Sequence, residues 1–107
     1  MAKIVNNDVE FESEILETDL LAVVYFFSQT CVPCKATSPI VDEISAEMAE
    51  NVKFIKVDTG KCPKTAKFYG VRGHPTVVTV ENGEIVDKMT NAFNKNELKS
   101  RIENFLL

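Results

Sequence analysis

The chain has 107 residues, 45% of them apolar and 26% charged, a composition that suits one compact domain over residues 1–107. The net charge of −4 argues against nucleic acid as the main partner, and no apolar stretch approaches the ~20 residues of a membrane span. Three cysteines disfavour a secreted disulfide scaffold and the N-terminus shows no apolar signal region, so we expect a cytoplasmic protein.

The N-terminal part of the chain predicts a strand, a helix and a buried strand. Residues 3–6 favour a short edge strand, and Asn7 or Asp8 caps a helix whose apolar residues recur at helical spacing up to residue 16. Leu21–Phe27 is a continuous run rich in β-branched and aromatic residues, which is typical of a central strand covered on both faces.

A long amphipathic helix is predicted from Cys34 to about Asn51, followed by a second core strand at Val52–Asp58. The helix carries an apolar stripe and an acidic outer face. Pro39 falls inside this pattern and predicts a kink, because it lacks the N–H of a helical hydrogen bond.

The remaining residues predict a short helix, a hairpin and a final helix. The short helix covers residues 63–69, and Asn82-Gly83 joins strands at residues 76–80 and at Glu84–Thr90. A capping-box pattern begins the last helix at Asn94. The resulting order βαβαβαββα implies an α/β fold, with a mixed sheet and helices on both of its faces.

Cys31 and Cys34 lie where the buried strand gives way to the long helix. Unpaired N–H groups at a helix start favour negative charge, and the thiolate is the reactive form of cysteine. We therefore expect Cys31 to be an exposed nucleophile and Cys34, one turn deeper, to close a disulfide onto it. A structural or metal-binding pair is the alternative, and a four-ligand zinc site would have to recruit Cys62 and His74.

The ordered set of motifs resembles the thioredoxin family over nearly the whole chain. The resemblance implies a thioredoxin fold, with a central mixed sheet of about five strands flanked by four helices. It also implies a thiol–disulfide oxidoreductase that reduces protein disulfides. The motifs that carry it are Cys-Val-Pro-Cys-Lys at residues 31–35, Pro39 eight residues after the first cysteine, Val57-Asp58, Tyr-Gly-Val-Arg-Gly-His-Pro-Thr at residues 69–76, and Asn-Gly-Glu at residues 82–84.

The resemblance further implies the roles of individual residues. Cys31 and Cys34 would be the catalytic pair, and a cis proline at Pro75 would lie against their disulfide. The backbone of His74 would pair with an extended substrate chain. The substrate-binding surface would consist of Thr30, Val32, Pro33, His74, Pro75, Asn91 and Ala92.

The implied partners are protein disulfides and a thioredoxin reductase that restores the dithiol. No metal and no organic cofactor is implied, because the redox-active disulfide carries the electrons. The chain would act as a monomer and would bind neither nucleic acid nor membrane.

The sequence also departs from the family's pattern. Tyr25 takes the place of the buried aspartate that helps to deprotonate the resolving cysteine, so Cys34 must lose its proton through water or through the leaving thiolate of the partner. The Tyr25 hydroxyl would itself need a partner beneath the site. The other departures are Thr30 for tryptophan, Val32 for glycine, Phe54 for lysine and Asn91 for glycine.

Two other functions remain open at this stage: a disulfide oxidant or isomerase, and a non-catalytic binding module of the same fold. His74 is hypothesised to lie within reach of the disulfide and to favour the Cys31 thiolate, which would make the pair more oxidising. Cys62 follows Lys61 in a glycine-containing loop and is expected to be an exposed, unreactive thiol.

Overall fold

The computed structural model describes residues 2–106 and contains one sheet of five strands. Its strands are β1 (Lys3–Val5), β2 (Leu21–Phe27), β3 (Val52–Asp58), β4 (Thr76–Glu81) and β5 (Glu84–Thr90). Its helices are α1 (Asp8–Leu16), α2 (Cys34–Met48), α3 (Pro63–Phe68) and α4 (Lys95–Glu103). The predicted order βαβαβαββα and the five-stranded mixed sheet with four helices are confirmed.

The strands lie in the order β1-β3-β2-β4-β5. β1, β3 and β2 are parallel, whereas β4 is antiparallel to both β2 and β5. β2 is therefore central, as its continuous apolar run predicts, and β1 is an edge strand. The register places Tyr25 of β2 opposite Lys56 of β3, and Phe26 opposite Thr76 of β4.

The sheet separates two hydrophobic cores because successive β2 side chains point to opposite faces. Leu21, Val23 and Tyr25 face one core, in which α2 and α4 contribute Val41, Ile44, Met48, Leu98 and Ile102. Ala22, Val24 and Phe26 face the other, to which Phe11, Cys62 and Tyr69 also belong. Each fully buried Val or Phe stabilises the fold by about 1.5–3 kcal/mol, so the two-sided burial of β2 anchors everything attached to its end.

The helix starts follow their predicted caps. The Asn7 side chain accepts from the Glu10 N–H at 2.8 Å, and Asn94 and Glu97 form a complete capping box. α1 and α3 are joined by the Asp8 carboxylate, which accepts from the Thr65 N–H at 2.8 Å and from its hydroxyl at 2.7 Å.

Three predicted helix ends are wrong. α2 ends at Met48 rather than Asn51, because the Asn51 N–H bonds the Met48 carbonyl in a tighter turn that redirects the chain into β3. α3 ends at Phe68, one residue early. α4 ends at Glu103 although its apolar pattern continues towards Leu107, a residue outside the described part of the chain.

No helix within residues 2–106 is long and apolar enough to cross a membrane.

Candidate functional site

Cys31 and Cys34 form a disulfide at the start of α2, with their Cα atoms 5.3 Å apart. Cys34 is the first residue of the helix, and Pro33 precedes it in helical conformation, as suits a residue without an N–H. Cys31 is half-buried, whereas Cys34 is only 5% exposed. An external nucleophile or disulfide can therefore approach Cys31 more readily than Cys34.

The Cys31 sulfur accepts a hydrogen bond from the helix itself. The Cys34 N–H points at the Cys31 Sγ at 3.2 Å, and the Cys31 N–H is held by the Ser28 carbonyl at 3.3 Å. An N–H aimed at sulfur stabilises a thiolate more than a thiol, because charge strengthens the bond. Reduction of the pair would leave this donor facing the anionic sulfur.

The Tyr25 hydroxyl has two partners beneath the cysteines. It lies 2.8 Å from the Thr37 Oγ1 and 3.3 Å from the Cys34 carbonyl oxygen, and the Thr37 hydroxyl in turn donates to the Pro33 carbonyl at 3.3 Å. Burial raises the pKa of Tyr25, while its bond to Thr37 acts in the opposite direction. The neutral hydroxyl therefore ties the middle of β2 to the first turn of α2.

A buried ammonium group lies beside this hydroxyl. Lys56 is 5% exposed, and its Nζ bonds the Ser38 Oγ at 2.6 Å, the Ser38 carbonyl at 3.3 Å and the Asp42 carboxylate at 2.9 Å. The sequence analysis did not single out Lys56. The signal was present, since Lys56 is a charged residue at an inward position of an apolar strand, whereas Phe54 on the same face is a core residue.

Three loops meet at the end of β2 that carries the cysteines. The Thr59 N–H bonds the Phe27 carbonyl at 2.9 Å, which joins the ends of β3 and β2. The Gln29 amide donates to the buried Asp58 carboxylate at 2.8 Å, and the Gly60 N–H donates to its other oxygen at 2.8 Å. The segment that leads into Cys31 is thus held by the end of β3.

The third loop contains a cis peptide bond between His74 and Pro75. The His74 Nε2 lies 2.9 Å from the Thr59 Oγ1, and the Pro75 carbonyl accepts from the Asn91 N–H at 3.0 Å. Asn91 has φ of 89°, the left-handed region that glycine enters freely and asparagine tolerates better than most residues. Asn91 therefore replaces glycine at a position whose backbone requires positive φ.

The substrate-binding residues expected from the sequence differ in exposure. Val32 is 72% exposed, and the loop bonds bring Asn91 next to Pro75. His74 is half-buried with its ring on Thr59, and Pro75 is buried. The exposed members are Thr30, Val32, Pro33, Asn91 and Ala92.

The expectation for Cys62 is wrong. Cys62 has 0% exposure and packs in the core between the sheet and the helices α1 and α3, on the other face from α2. Burial, reinforced by the carboxylates of Asp8 and Asp58, raises the pKa of its thiol to about 11. Cys62 is therefore remote from the disulfide, and the structure does not assemble the set of Cys31, Cys34, Cys62 and His74 that a zinc site would require.

A groove of about 800 Å³ lies between α1 and α3. Its walls include the exposed Leu16 and Phe68, and its lining contains neither cysteine of the disulfide. The disulfide thus lies on a shallow surface away from this groove, as suits a site that receives another macromolecule rather than a small ligand.

Comparison with known proteins gives consistent matches. Residues 2–104 match the family model described as Thioredoxin. The chain is 46% identical over 85 residues to the thioredoxin of Rickettsia typhi, covering 78% of this chain and 81% of that protein. The X-ray structure of Fasciola hepatica thioredoxin has 33% identity and a TM-score of 0.86, with coverage of 95% and 97%. Malassezia sympodialis thioredoxin has 27% identity and the same TM-score of 0.86, with coverage of 97% and 90%.

Proposed function

The chain belongs to the thioredoxin family and is a thiol–disulfide oxidoreductase with protein-disulfide reductase activity, and we propose that Cys31 and Cys34 are the residues through which it acts. The resemblance predicted from the sequence is confirmed at the level of the family. The observation that carries the assignment of roles is the unequal burial of two bonded sulfurs at the start of α2, with the Cys34 N–H directed at the Cys31 sulfur.

In the first step, the Cys31 thiolate attacks one sulfur of a substrate disulfide. A bond forms between Cys31 and that sulfur, the substrate S–S bond breaks, and the second substrate sulfur leaves as a thiolate that takes up a proton. The Cys34 N–H and the start of α2 favour the Cys31 anion before the attack.

In the second step, Cys34 attacks Cys31 within the mixed disulfide. The Cys31–Cys34 bond forms, the bond to the substrate breaks, and the fully reduced substrate leaves after taking up a proton. Two electrons have then moved from the protein to the substrate. The burial of Cys34 keeps it from external disulfides until Cys31 holds the substrate beside it.

We place the substrate chain along the cis-proline loop. The extended segment before Pro75 would pair with the substrate backbone through His74, while the exposed Val32 supplies apolar contact. Thr30, Pro33, Asn91 and Ala92 complete this surface. The His74 ring is held by Thr59, so its hypothesised effect on the Cys31 thiolate would act together with that bond.

The remaining assignments extend the family's general properties to this chain. We propose a single functional domain that acts as a monomer in the cytoplasm and transfers electrons without a metal or organic cofactor. A thioredoxin reductase would restore the dithiol after each cycle, and the substrates would be protein disulfides.

A redox titration tests the direction of electron flow. The protein is equilibrated in dithiothreitol buffers and the Cys31–Cys34 pair is followed by thiol alkylation, because the chain has no tryptophan to report on it. We expect a potential near ~−270 mV, which is the reference value for a thioredoxin rather than a consequence of this geometry. A potential of ~−120 to −180 mV would instead identify an oxidant or isomerase.

The Cys34→Ser variant tests the assignment of the two cysteines. It should retain attack by Cys31 and accumulate mixed disulfides with protein substrates, whereas the matched Cys31→Ser variant should accumulate none. If both variants trap partners equally, the roles are wrong. If neither does, the alternative of a non-catalytic binding module is favoured.

A further inference from the structure

Lys56 provides a positive charge in the core beneath the cysteine-bearing turn. Its Nζ is bonded only to groups of α2 among the described residues, namely the Ser38 hydroxyl, the Ser38 carbonyl and the Asp42 carboxylate. Lys56 is 5% exposed, so the ammonium is shielded from bulk water on the side of β3. Burial of a charge is costly unless it is paired, and Asp42 supplies the pair.

The arrangement of the partners makes this ion pair directional. Cys34, Ser38 and Asp42 are spaced by four residues and therefore lie in successive turns on the same side of α2. Ser38 lies about 6 Å along the helix axis from Cys34, and Asp42 about 12 Å. The ammonium at Ser38 is consequently nearer to Cys34 than the carboxylate that balances it.

Tyr25 fills the space between the ammonium and the cysteine. Its ring centroid lies 5.9 Å from the Lys56 Nζ, and its hydroxyl reaches the Cys34 carbonyl at 3.3 Å. Tyr25 is 0% exposed. The charge therefore acts on the cysteine through packed protein, in which electrostatic interactions are stronger than in water.

We propose that Lys56 is a positioning residue for Cys34, whose buried ammonium favours the Cys34 thiolate in the second step of the reaction. This inference rests on the proposed roles of Cys31 and Cys34. In that step Cys34 gives up its proton, its sulfur bonds to Cys31, and the departing substrate sulfur leaves with the electron pair of the broken bond and is protonated.

Other charged groups near Cys34 do not replace Lys56. Asp58 lies two residues further along the same face of β3, but its carboxylate is engaged by Gln29 and Gly60. Lys35 follows Cys34 in α2 and is exposed. Asp42 is nearly half exposed, with 47% of its side-chain surface accessible, which weakens its opposing effect.

A Lys56→Met variant tests the proposal, because methionine fills a similar volume without charge. Reduced protein is mixed rapidly with an aromatic disulfide that releases a coloured thiolate. The first equivalent reports attack by Cys31, and the second reports attack by Cys34. A charge on the order of 10 Å from Cys34 changes its thiolate fraction by roughly tenfold. The remaining thiolate is more nucleophilic, so the second phase should slow by roughly threefold near neutral pH.

The matched variant is Asp42→Asn, which removes the opposing carboxylate and keeps the ammonium with both Ser38 partners. The pH profile of the second phase should move to higher pH in Lys56→Met and to lower pH in Asp42→Asn. A purely structural role of the ion pair would move both variants in the same direction. An unmoved profile in Lys56→Met, or shifts of the same sign in the two variants, overturns the proposal.

The experiment separates this inference from the function on which it rests. If wild-type protein releases no second equivalent, or Cys34→Ser still releases it, the assigned roles of the cysteines fail. If wild-type protein shows two phases and only the Lys56→Met profile fails to move, the proposal for Lys56 fails alone. Should Lys56→Met not fold, Asp42→Asn decides the matter: a profile at lower pH supports the proposal, and any other result rejects it.

Discussion

Two helices of this protein begin at a cysteine, yet the two surroundings favour opposite chemistry. Cys31 and Cys34 precede and open α2, at a surface where an N–H points at the Cys31 sulfur. Cys62 is the N-cap of α3, but it is fully buried and burial raises its pKa to about 11, with the carboxylates of Asp8, Asp58 and Glu10 adding to the shift.

The difference teaches that a helix start does not by itself activate a thiol. α3 has only six residues, whereas α2 has fifteen. At Cys62 desolvation and nearby carboxylates oppose the thiolate. At Cys31 partial exposure and the Cys34 N–H favour it. The same residue type is thus a nucleophile in one place and a packing group in the other.

The largest expected effect separates the two surroundings by activity. Cys31→Ser should lower the rate of protein-disulfide reduction by at least about a thousandfold, because the attacking sulfur is removed. Cys62→Ala should change that rate by less than about twofold, since Cys62 is buried on the other face of the sheet. The assay is reduction of a protein disulfide with dithiothreitol as the electron source. A large loss in Cys62→Ala, with its fold intact by circular dichroism, would contradict the comparison.

A smaller effect concerns alkaline stability. The pKa of Cys62 is raised from its usual 9.0 to about 11, so the unfolded chain loses the thiol proton first. The stabilisation is complete below pH 9 and is lost as pH rises towards 11, by about 1–2 kcal/mol in the free energy of unfolding.

Urea unfolding of the oxidised protein at a series of pH values measures this loss. Oxidised protein is used so that Cys31 and Cys34 do not titrate, and Cys62→Ala is the control that retains both tyrosines. The free energy of unfolding of the wild type should fall more steeply than that of the variant over this range. Parallel curves would show that the core around Cys62 does not discriminate against its thiolate.

The smallest expected effect lies at the edge of the cysteine surface. Asn91 has φ of 89°, and its N–H bonds the Pro75 carbonyl. Asn91→Gly should raise the free energy of unfolding slightly, and Asn91→Ala should lower it by about 0.5–1 kcal/mol, because alanine is more strained at positive φ. Chemical denaturation measures both variants, and equal stabilities would mean that the loop changes conformation.

Local patterns were sufficient to predict most of the fold. Alternation and apolar runs gave the strands, and the capping residues Asn7 and Asn94 marked two helix starts correctly. The ends of the helices were less accurate, because a helix also stops where the chain must turn towards its next packing partner. Met48 is such a point, since the following turn already leads into β3.

The surroundings of the site depend on contacts between residues far apart in the chain. The bonds of Gln29 to Asp58 and of His74 to Thr59 cross 29 and 15 residues. No local pattern specifies these pairs. Cys62 was misjudged for the same reason, since residues 60–62 look like an exposed loop until α1 packs over them. Tyr25 was correctly expected to need a partner, but only the structure identifies Thr37.

The position of the sheet between Cys62 and α2 has a consequence for oxidative folding. Three thiols can be paired in three ways, and two of those pairings would join Cys62 to a residue across the sheet. Such a mispaired chain could not close the sheet, so completion of the native β-structure acts as a proofreading step that admits a single cystine. Air oxidation of the folded, reduced chain should then give one intramolecular product.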